Sequence, residues 1–99
     1  MIVSKIQENE KSILNLEGRL DTATAPLLEN ALIASFDEAK QVELDFTKLD
    51  YISSAGLRVL LMGLKTAQSK GAYMTLRSVS EDIKQIFEIT GFDRILTIL

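Results

Sequence analysis

The sequence predicts an α/β protein in which helices pack on a four- to five-stranded mixed sheet. Three observations predict this class. Short segments carry apolar residues at every second position, as at Val42 and Leu44, a period typical of strands. Longer segments carry them every three or four positions, as at Leu57, Leu60 and Leu64, which is typical of amphipathic helices. The two patterns alternate along the chain, which favours βαβ units with parallel strands.

Two short strands open the predicted order. Residues 2–6 and 13–16 are largely apolar and flank a polar run at 7–11, which predicts a hairpin. Gly18 and Asp21 are expected to end the second strand, because both residue types favour turns.

A helix is predicted at residues 24–39, with Thr24 as its cap, since a threonine hydroxyl can accept a hydrogen bond from the first turn. A third strand follows at 42–46. Its carboxylates, Glu43 and Asp45, alternate with apolar neighbours. They are therefore expected on the exposed face of that strand.

The second half of the chain continues the alternation. The second helix is expected to stop at Gly71, a residue that readily adopts the left-handed conformation of a helix end. A fourth strand is predicted at 73–76, and Ser80 is expected to cap a third helix that ends at Gly91. A last short strand is predicted within residues 95–99. The order is therefore β-β-α-β-α-β-α(-β).

Composition predicts one small domain and excludes several partners. The 99 residues are 46% hydrophobic, so residues 1–99 are expected to form a single domain with one core. The net charge is −3 and cations are scattered, which argues against nucleic acid as a partner. The aromatic residues, including Tyr51 and Tyr73, are expected mainly in the core. No segment approaches the ~18 apolar residues of a membrane span, so no membrane insertion and a cytoplasmic location are expected.

An enzyme is not expected. The chain has no cysteine and no histidine, so it lacks thiolate and imidazole metal ligands and the commonest general base. Glu43 and Asp45 form a carboxylate pair, but no phosphate loop, metal-ligand cluster or nucleophile–base pair accompanies them. Neither a cofactor nor a metal is therefore expected.

The junction at Ser53 and Ser54 is the candidate control site. Two hydroxyls followed by Ala55 and Gly56 stand where an apolar strand ends and an apolar helix begins. The first N–H groups of a helix have no partner within it and favour negative charge, so a hydroxyl there suits reversible phosphorylation. A serine cap explains one hydroxyl without any function. A single cap suffices, so one of the two hydroxyls is left free.

Three segments together resemble the STAS domains of bacterial anti-sigma factor antagonists. They are Gly-Arg-Leu-Asp with Thr-Ala-Pro at 18–26, Leu-Asp-Phe-Thr leading to Tyr-Ile-Ser-Ser-Ala-Gly-Leu at 44–57, and Ile-Phe-Glu-Ile-Thr-Gly-Phe at 86–92. The resemblance implies a STAS fold and a partner switch. The unphosphorylated antagonist binds an anti-sigma factor, which is also a serine kinase, and so releases a sigma factor. Phosphorylation of the antagonist ends binding, and a serine phosphatase resets the cycle.

The resemblance also implies which serine is phosphorylated. Aligned on Gly56 and Leu57, the family's phosphoacceptor falls on Ser54, and the family's preceding aspartate falls on Ser53. With Ser54 as the phosphoacceptor, Ser53 is the expected cap of the helix. The neutral Ser53 also departs from the family pattern and is the alternative acceptor.

A partner surface is predicted around Ser54. Arg58 and Met62 share one helix face, and in the family the loop of Asp21 and Thr22 lies near the phosphorylated residue. Simpler interpretations are turn chemistry for Asp21, a solvated Arg58 and a half-covered Met62. The predicted surface comprises Asp21, Thr22, Ser53, Ser54, Ala55, Gly56, Arg58 and Met62.

The resemblance leaves a second role open. Related free-standing STAS domains are regulatory subunits of membrane lipid ABC transporters, where the same surface holds an ATPase subunit. A nucleotide-binding role is a third option.

Overall fold

Five strands and three α-helices alternate along the chain in a computed structural model that describes all 99 residues. A single 3₁₀ turn, Phe92–Arg94, precedes the last strand. The element bounds are β1 Ile2–Glu8, β2 Lys11–Leu20, α1 Ala25–Glu38, β3 Gln41–Ile52, α2 Ser54–Lys70, β4 Tyr73–Arg77, α3 Glu81–Thr90 and β5 Thr97–Ile98. This order confirms the predicted one, including the short last strand.

The strands form one mixed sheet in sequential order, β1-β2-β3-β4-β5. The β1–β2 hairpin is antiparallel, and the remaining neighbours are parallel. A helix connects β2 to β3 and β3 to β4, as parallel neighbours require. The carboxyl ends of β2 and β3 therefore lie side by side, and both lead into helices.

Strand β2 extends through Gly18 instead of ending there, which corrects the sequence-based boundary. Gly18 has φ +102°, and the β2–β3 register shifts directly after it and after Asn15. At both places β3 contributes one more residue than β2, the arrangement of a β-bulge. A residue with a side chain would be strained at this positive φ, so glycine is favoured at position 18.

Residues from all three helices and the sheet join in one core cluster. Leu14, Leu44 and Leu76 stand opposite one another in neighbouring strands and are fully buried. From α3, Phe87 packs against Phe46 with ring centroids 6.4 Å apart. The helices thus cover one face of the sheet, which leaves the start of α2 at its rim.

The other sheet face contradicts one expectation, because Glu43 is only 1% exposed. Its carboxylate lies 3.1 Å from Lys11 Nζ and 3.5 Å from Arg77 Nη1. The alternating pattern placed Glu43 on the correct face of the sheet. It did not predict that Glu43 is buried, because the side chains that cover it belong to β2 and β4. Asp45 is half-buried on the same face.

The two tyrosines also depart from the expected core positions. Tyr73 is 66% exposed and Tyr51 is 39% exposed. Tyr51 lies beside Arg19 on the neighbouring strand, and the guanidinium carbon is 4.1 Å from the ring centroid. This cation–π contact accounts for Tyr51 at the surface.

Candidate functional site

Ser53 caps α2, as predicted. Its backbone is extended, with φ −99° and ψ 176°, and its Oγ accepts a hydrogen bond from Gly56 N at 3.4 Å. Its own N–H donates to Leu20 O at the end of β2 over 2.9 Å. Ser53 therefore joins the helix start to the neighbouring strand, and its hydroxyl is already engaged.

Ser54 is the first residue of α2, and its side chain is exposed. No side-chain hydrogen bond within the protein involves its Oγ. The two serines therefore differ in availability: one is used by the fold, whereas the other faces solvent. This geometry fits Ser54 as an acceptor, and its phosphorylation remains a prediction.

Gly56 sets how closely α2 begins against the sheet. A Cβ built there would lie 2.7 Å from Leu20 Cγ and 2.8 Å from Ile52 Cγ1. Real Cβ atoms do not approach other atoms so closely, so only glycine fits this helix start. Gly56 was among the predicted surface residues, but it is buried. Its part in the site is to let α2 begin close to the sheet, which positions Ser54.

Asp21 organises the loop between β2 and α1. Its Oδ1 accepts hydrogen bonds from the N–H groups of Ala23 and Thr24, both at 3.1 Å. The Thr24 hydroxyl donates to Arg19 O at 2.7 Å and makes no cap hydrogen bond to α1. Thr24 thus occupies the predicted N-cap position, but the expected cap hydrogen bond is absent because its hydroxyl closes the loop instead. Turn chemistry is confirmed for Asp21, while Thr22 is exposed at the loop tip.

The hydrogen bonds of this loop lower the pKa of Asp21 below its ordinary value of 3.8. The Thr24 N–H is the main cause. Desolvation comes next and opposes it, but the Thr24 hydroxyl, the Ala23 N–H and the charge of Arg19 add to the lowering. These three and the Thr24 N–H favour the ionised carboxylate.

Asp21→Asn is therefore expected to reduce stability most at neutral pH. A group with a depressed pKa stabilises the fold above its unfolded pKa, and that contribution disappears as pH falls through the folded pKa. The difference in unfolding free energy between wild type and variant should be largest above about pH 5 and should shrink as pH falls through the lowered pKa. Urea denaturation across this range measures it.

Asp50→Asn serves as the matched control for Asp21, because Asp50 is an exposed carboxylate on β3. Its substitution should change stability little at any of these pH values. A wild-type advantage over Asp21→Asn that stays constant as pH falls would contradict the proposed role of the charge.

A groove of about 410 Å³ runs between α1 and α2 next to Ser54. It is lined by Thr22, Ala25, Pro26, Glu29, Ala55, Arg58, Val59 and Met62. The structure thus brings together four of the predicted surface residues, Thr22, Ala55, Arg58 and Met62. Sequence reasoning missed Pro26 and Glu29, because only the packing of α1 beside α2 places them here.

Arg58 and Met62 differ in how far they are exposed. Arg58 is exposed and takes part in none of the seven salt bridges. Met62 is half-buried, and the Thr66 hydroxyl donates to its carbonyl oxygen at 2.9 Å and approaches its sulfur at 3.4 Å. The groove therefore has an apolar floor and a free cation at its rim.

No group of three or more acidic side chains is arranged to hold a metal ion. None of the helices combines the length and the apolar character that crossing a membrane requires.

The fold and the serine pair at the start of α2 define the STAS class. A family model described as "Mlab, STAS domain" matches residues 4–98, so the chain belongs to the STAS domain family.

Three similar proteins are named as anti-sigma factor antagonists. A Bordetella bronchiseptica protein named as an anti-sigma factor antagonist, BtrV, is 40% identical over 78 residues, covering 78% of this chain and 67% of its own. The anti-sigma-B factor antagonist of Bacillus subtilis is 28% identical, with 94% and 86% of the two chains covered. That of Listeria monocytogenes is 30% identical, with 82% and 72% covered.

Solved structures support the same fold at low sequence identity. An anti-sigma factor antagonist from Mycobacterium paratuberculosis has a TM-score of 0.86 at 19% identity and covers 98% of this chain and 83% of its own. SpoIIAA in its unphosphorylated form has a TM-score of 0.79 at 13% identity, with 99% and 87% covered.

Proposed function

We propose that this protein is an anti-sigma factor antagonist that works by partner switching. In its unphosphorylated form it binds an anti-sigma factor with serine kinase activity and so releases a sigma factor. Phosphorylation of Ser54 ends binding, and a serine phosphatase restores the unmodified form. The observation that carries this proposal lies at the start of α2: the hydroxyl of Ser53 caps the helix, whereas Ser54 is exposed.

Similar proteins support the role and the modification. Those at 28–40% identity are named as anti-sigma factor antagonists. SpoIIAA, which shares the fold, has been solved in both an unphosphorylated and a phosphorylated form. The TM-scores of the two forms with this chain are 0.79 and 0.77. A switch that needs little refolding of the antagonist is in keeping with that similarity.

Electrostatic repulsion alone is strong enough for phosphorylation of Ser54 to end binding to the partner. Phosphoserine carries about −1.5 to −2 charges at neutral pH. At ~4 Å from a partner carboxylate, with an effective dielectric constant of ~20, each unit charge costs about 4 kcal/mol. That corresponds to roughly a 1000-fold loss of affinity. Repulsion at the exposed Ser54 can therefore end binding while the fold stays intact.

We expect purified anti-sigma factor kinases of the source organism to phosphorylate Ser54 in the presence of ATP. Mass spectrometry of wild type should place the phosphate on Ser54, and Ser54→Ala should remain unmodified. Ser53→Ala should still be modified, although loss of the cap lowers stability by about 1 kcal/mol.

Ser53→Asp is the matched control for the cap, since aspartate also caps helices and stands at this position in the family pattern. It should be phosphorylated on Ser54 at least as well as wild type. Phosphate that persists in Ser54→Ala and disappears in Ser53→Ala would assign the site to Ser53 instead.

The family description favours one second candidate, a STAS regulatory subunit of a membrane lipid ABC transporter, because the matching model is described as Mlab. In that role the surface around Ser54 holds an ATPase subunit. Co-purification with a transporter ATPase in the membrane fraction supports this candidate. A stable complex with a purified anti-sigma factor kinase supports the first.

A further inference from the structure

Arg58 is a free cation beside the candidate phosphorylation site. All seven salt bridges engage other lysines and arginines, and two of them, from Lys11 and Arg77, meet at the buried Glu43. The Arg58 side chain is exposed and has no acidic partner. It stands at the rim of the groove between α1 and α2, whose other lining includes Met62 and one carboxylate, Glu29. Glu29 forms no salt bridge with Arg58.

The spacing brings Arg58 within reach of a group on Ser54. Both residues lie in α2 and are four positions apart. Side chains at this spacing share one helix face, with Cβ atoms about 5–6 Å apart. A long guanidinium can therefore meet a phosphate on Ser54 without any change of backbone. Two charge-assisted hydrogen bonds to phosphate oxygens suit its forked geometry.

We propose that Arg58 changes partners when Ser54 is phosphorylated. In the unmodified protein it binds a carboxylate of the anti-sigma factor at the groove rim. In the phosphorylated protein it binds the phosphate of Ser54 within its own helix. This inference rests on the proposed function and specifies how the modification acts: the phosphate repels the partner's carboxylate and also removes the cation that held it.

Lys65 provides a matched control for Arg58. It is also an exposed cation on α2 and takes part in no salt bridge. It lies eleven positions beyond Ser54, about three turns along the helix, so it cannot reach the phosphate. Lys65→Gln therefore makes the same change of net charge as Arg58→Gln without touching the proposed contact.

The first test uses no partner. Protein carrying phosphoserine at position 54 is made by genetic encoding, and the second pKa of the phosphate is followed by ³¹P NMR. Free phosphoserine has this pKa near 6, and a neighbouring cation lowers it. We expect Arg58→Gln to raise the phosphate pKa by about half a unit relative to wild type, and Lys65→Gln to leave it unchanged. An equal pKa in wild type and Arg58→Gln overturns the proposal.

The second test measures affinity for the purified kinase by calorimetry. Arg58→Gln should weaken binding of the unmodified protein about tenfold, the scale of one charge-assisted contact. Phosphorylation should then weaken the variant by about tenfold less than it weakens wild type. An equal loss in both proteins overturns the exchange of partners. If no anti-sigma factor kinase binds, the proposed function fails, while the phosphate pKa still decides whether Arg58 holds the phosphate.

Discussion

Gly56→Ala is expected to lower the free energy of unfolding by about 2–3 kcal/mol. The new Cβ would lie 2.7 Å from Leu20 Cγ and 2.8 Å from Ile52 Cγ1. Both are γ carbons of buried side chains, one bond beyond Cβ, so they move little without the backbone, and relief requires the start of α2 to move away from the sheet. The modest gain of alanine over glycine in helix propensity does not offset this clash. Chemical denaturation measures the loss.

Gly63→Ala is the matched control in the same helix. Its Cβ would meet Met74 Sδ at 2.9 Å and Leu32 Cδ1 at 3.1 Å, and both atoms are at or near the ends of flexible side chains. We expect a loss of less than about 1.5 kcal/mol there. Because Gly56 positions Ser54, Gly56→Ala should also slow phosphorylation, whereas Gly63→Ala should not. A Gly56→Ala protein as stable as wild type would show that the helix start is not held as described.

Phosphoserine at position 54 is expected to weaken binding to the anti-sigma factor roughly 1000-fold while leaving the fold nearly unchanged. The loss of affinity comes from charge placed on an exposed residue of the docking surface. The fold tolerates the modification because negative charge at a helix N-terminus is favourable by about 0.3–1 kcal/mol. Calorimetric titration gives the affinity, and thermal unfolding gives the stability.

Phosphoserine at position 69 tests whether the effect is specific to the site. Ser69 is exposed on the same helix but lies near its other end, where negative charge is unfavourable. That protein should bind its partner like the unmodified one and unfold at a slightly lower temperature. Binding of the position-54 phosphoprotein within about tenfold of the unmodified protein would contradict the switch.

The helices were largely predictable from sequence because their local signals agree with their packing. Ser53 and Ser80 both accept cap hydrogen bonds at the predicted helix starts. Gly71 and Gly91 both take the left-handed conformation at the predicted ends. Each signal acts within one turn, so no knowledge of distant residues is needed.

The length of β3 could not be read from its pattern. The strand continues to Ile52, but its buried residues change from a spacing of two to three at Phe46, Leu49 and Ile52. The two register shifts against β2 cause this change, since each adds one residue to β3. The strict alternation of buried residues therefore ends at the first shift. Because the bulges arise from pairing with β2, the sequence of β3 alone does not reveal them.

The candidate site was predictable only in part for the same reason. The serine pair and the loop of Asp21 are local features, and sequence located both. The groove requires α1 to lie beside α2, and the contact of Arg19 with Tyr51 requires the β2–β3 register. These depend on residues that are far apart in the chain.

The burial of Glu43 also bears on how the strands find their alignment. Its carboxylate joins three strands, because it lies on β3 while Lys11 and Arg77 belong to β2 and β4. A slip of either neighbour by one residue would turn the matching cation to the opposite face and leave a buried carboxylate with an incomplete set of counter-charges, which is strongly unfavourable. Parallel strands have no tight turn to set their alignment. Glu43 therefore discriminates against misaligned sheets, a selection of structure and not a gain in stability.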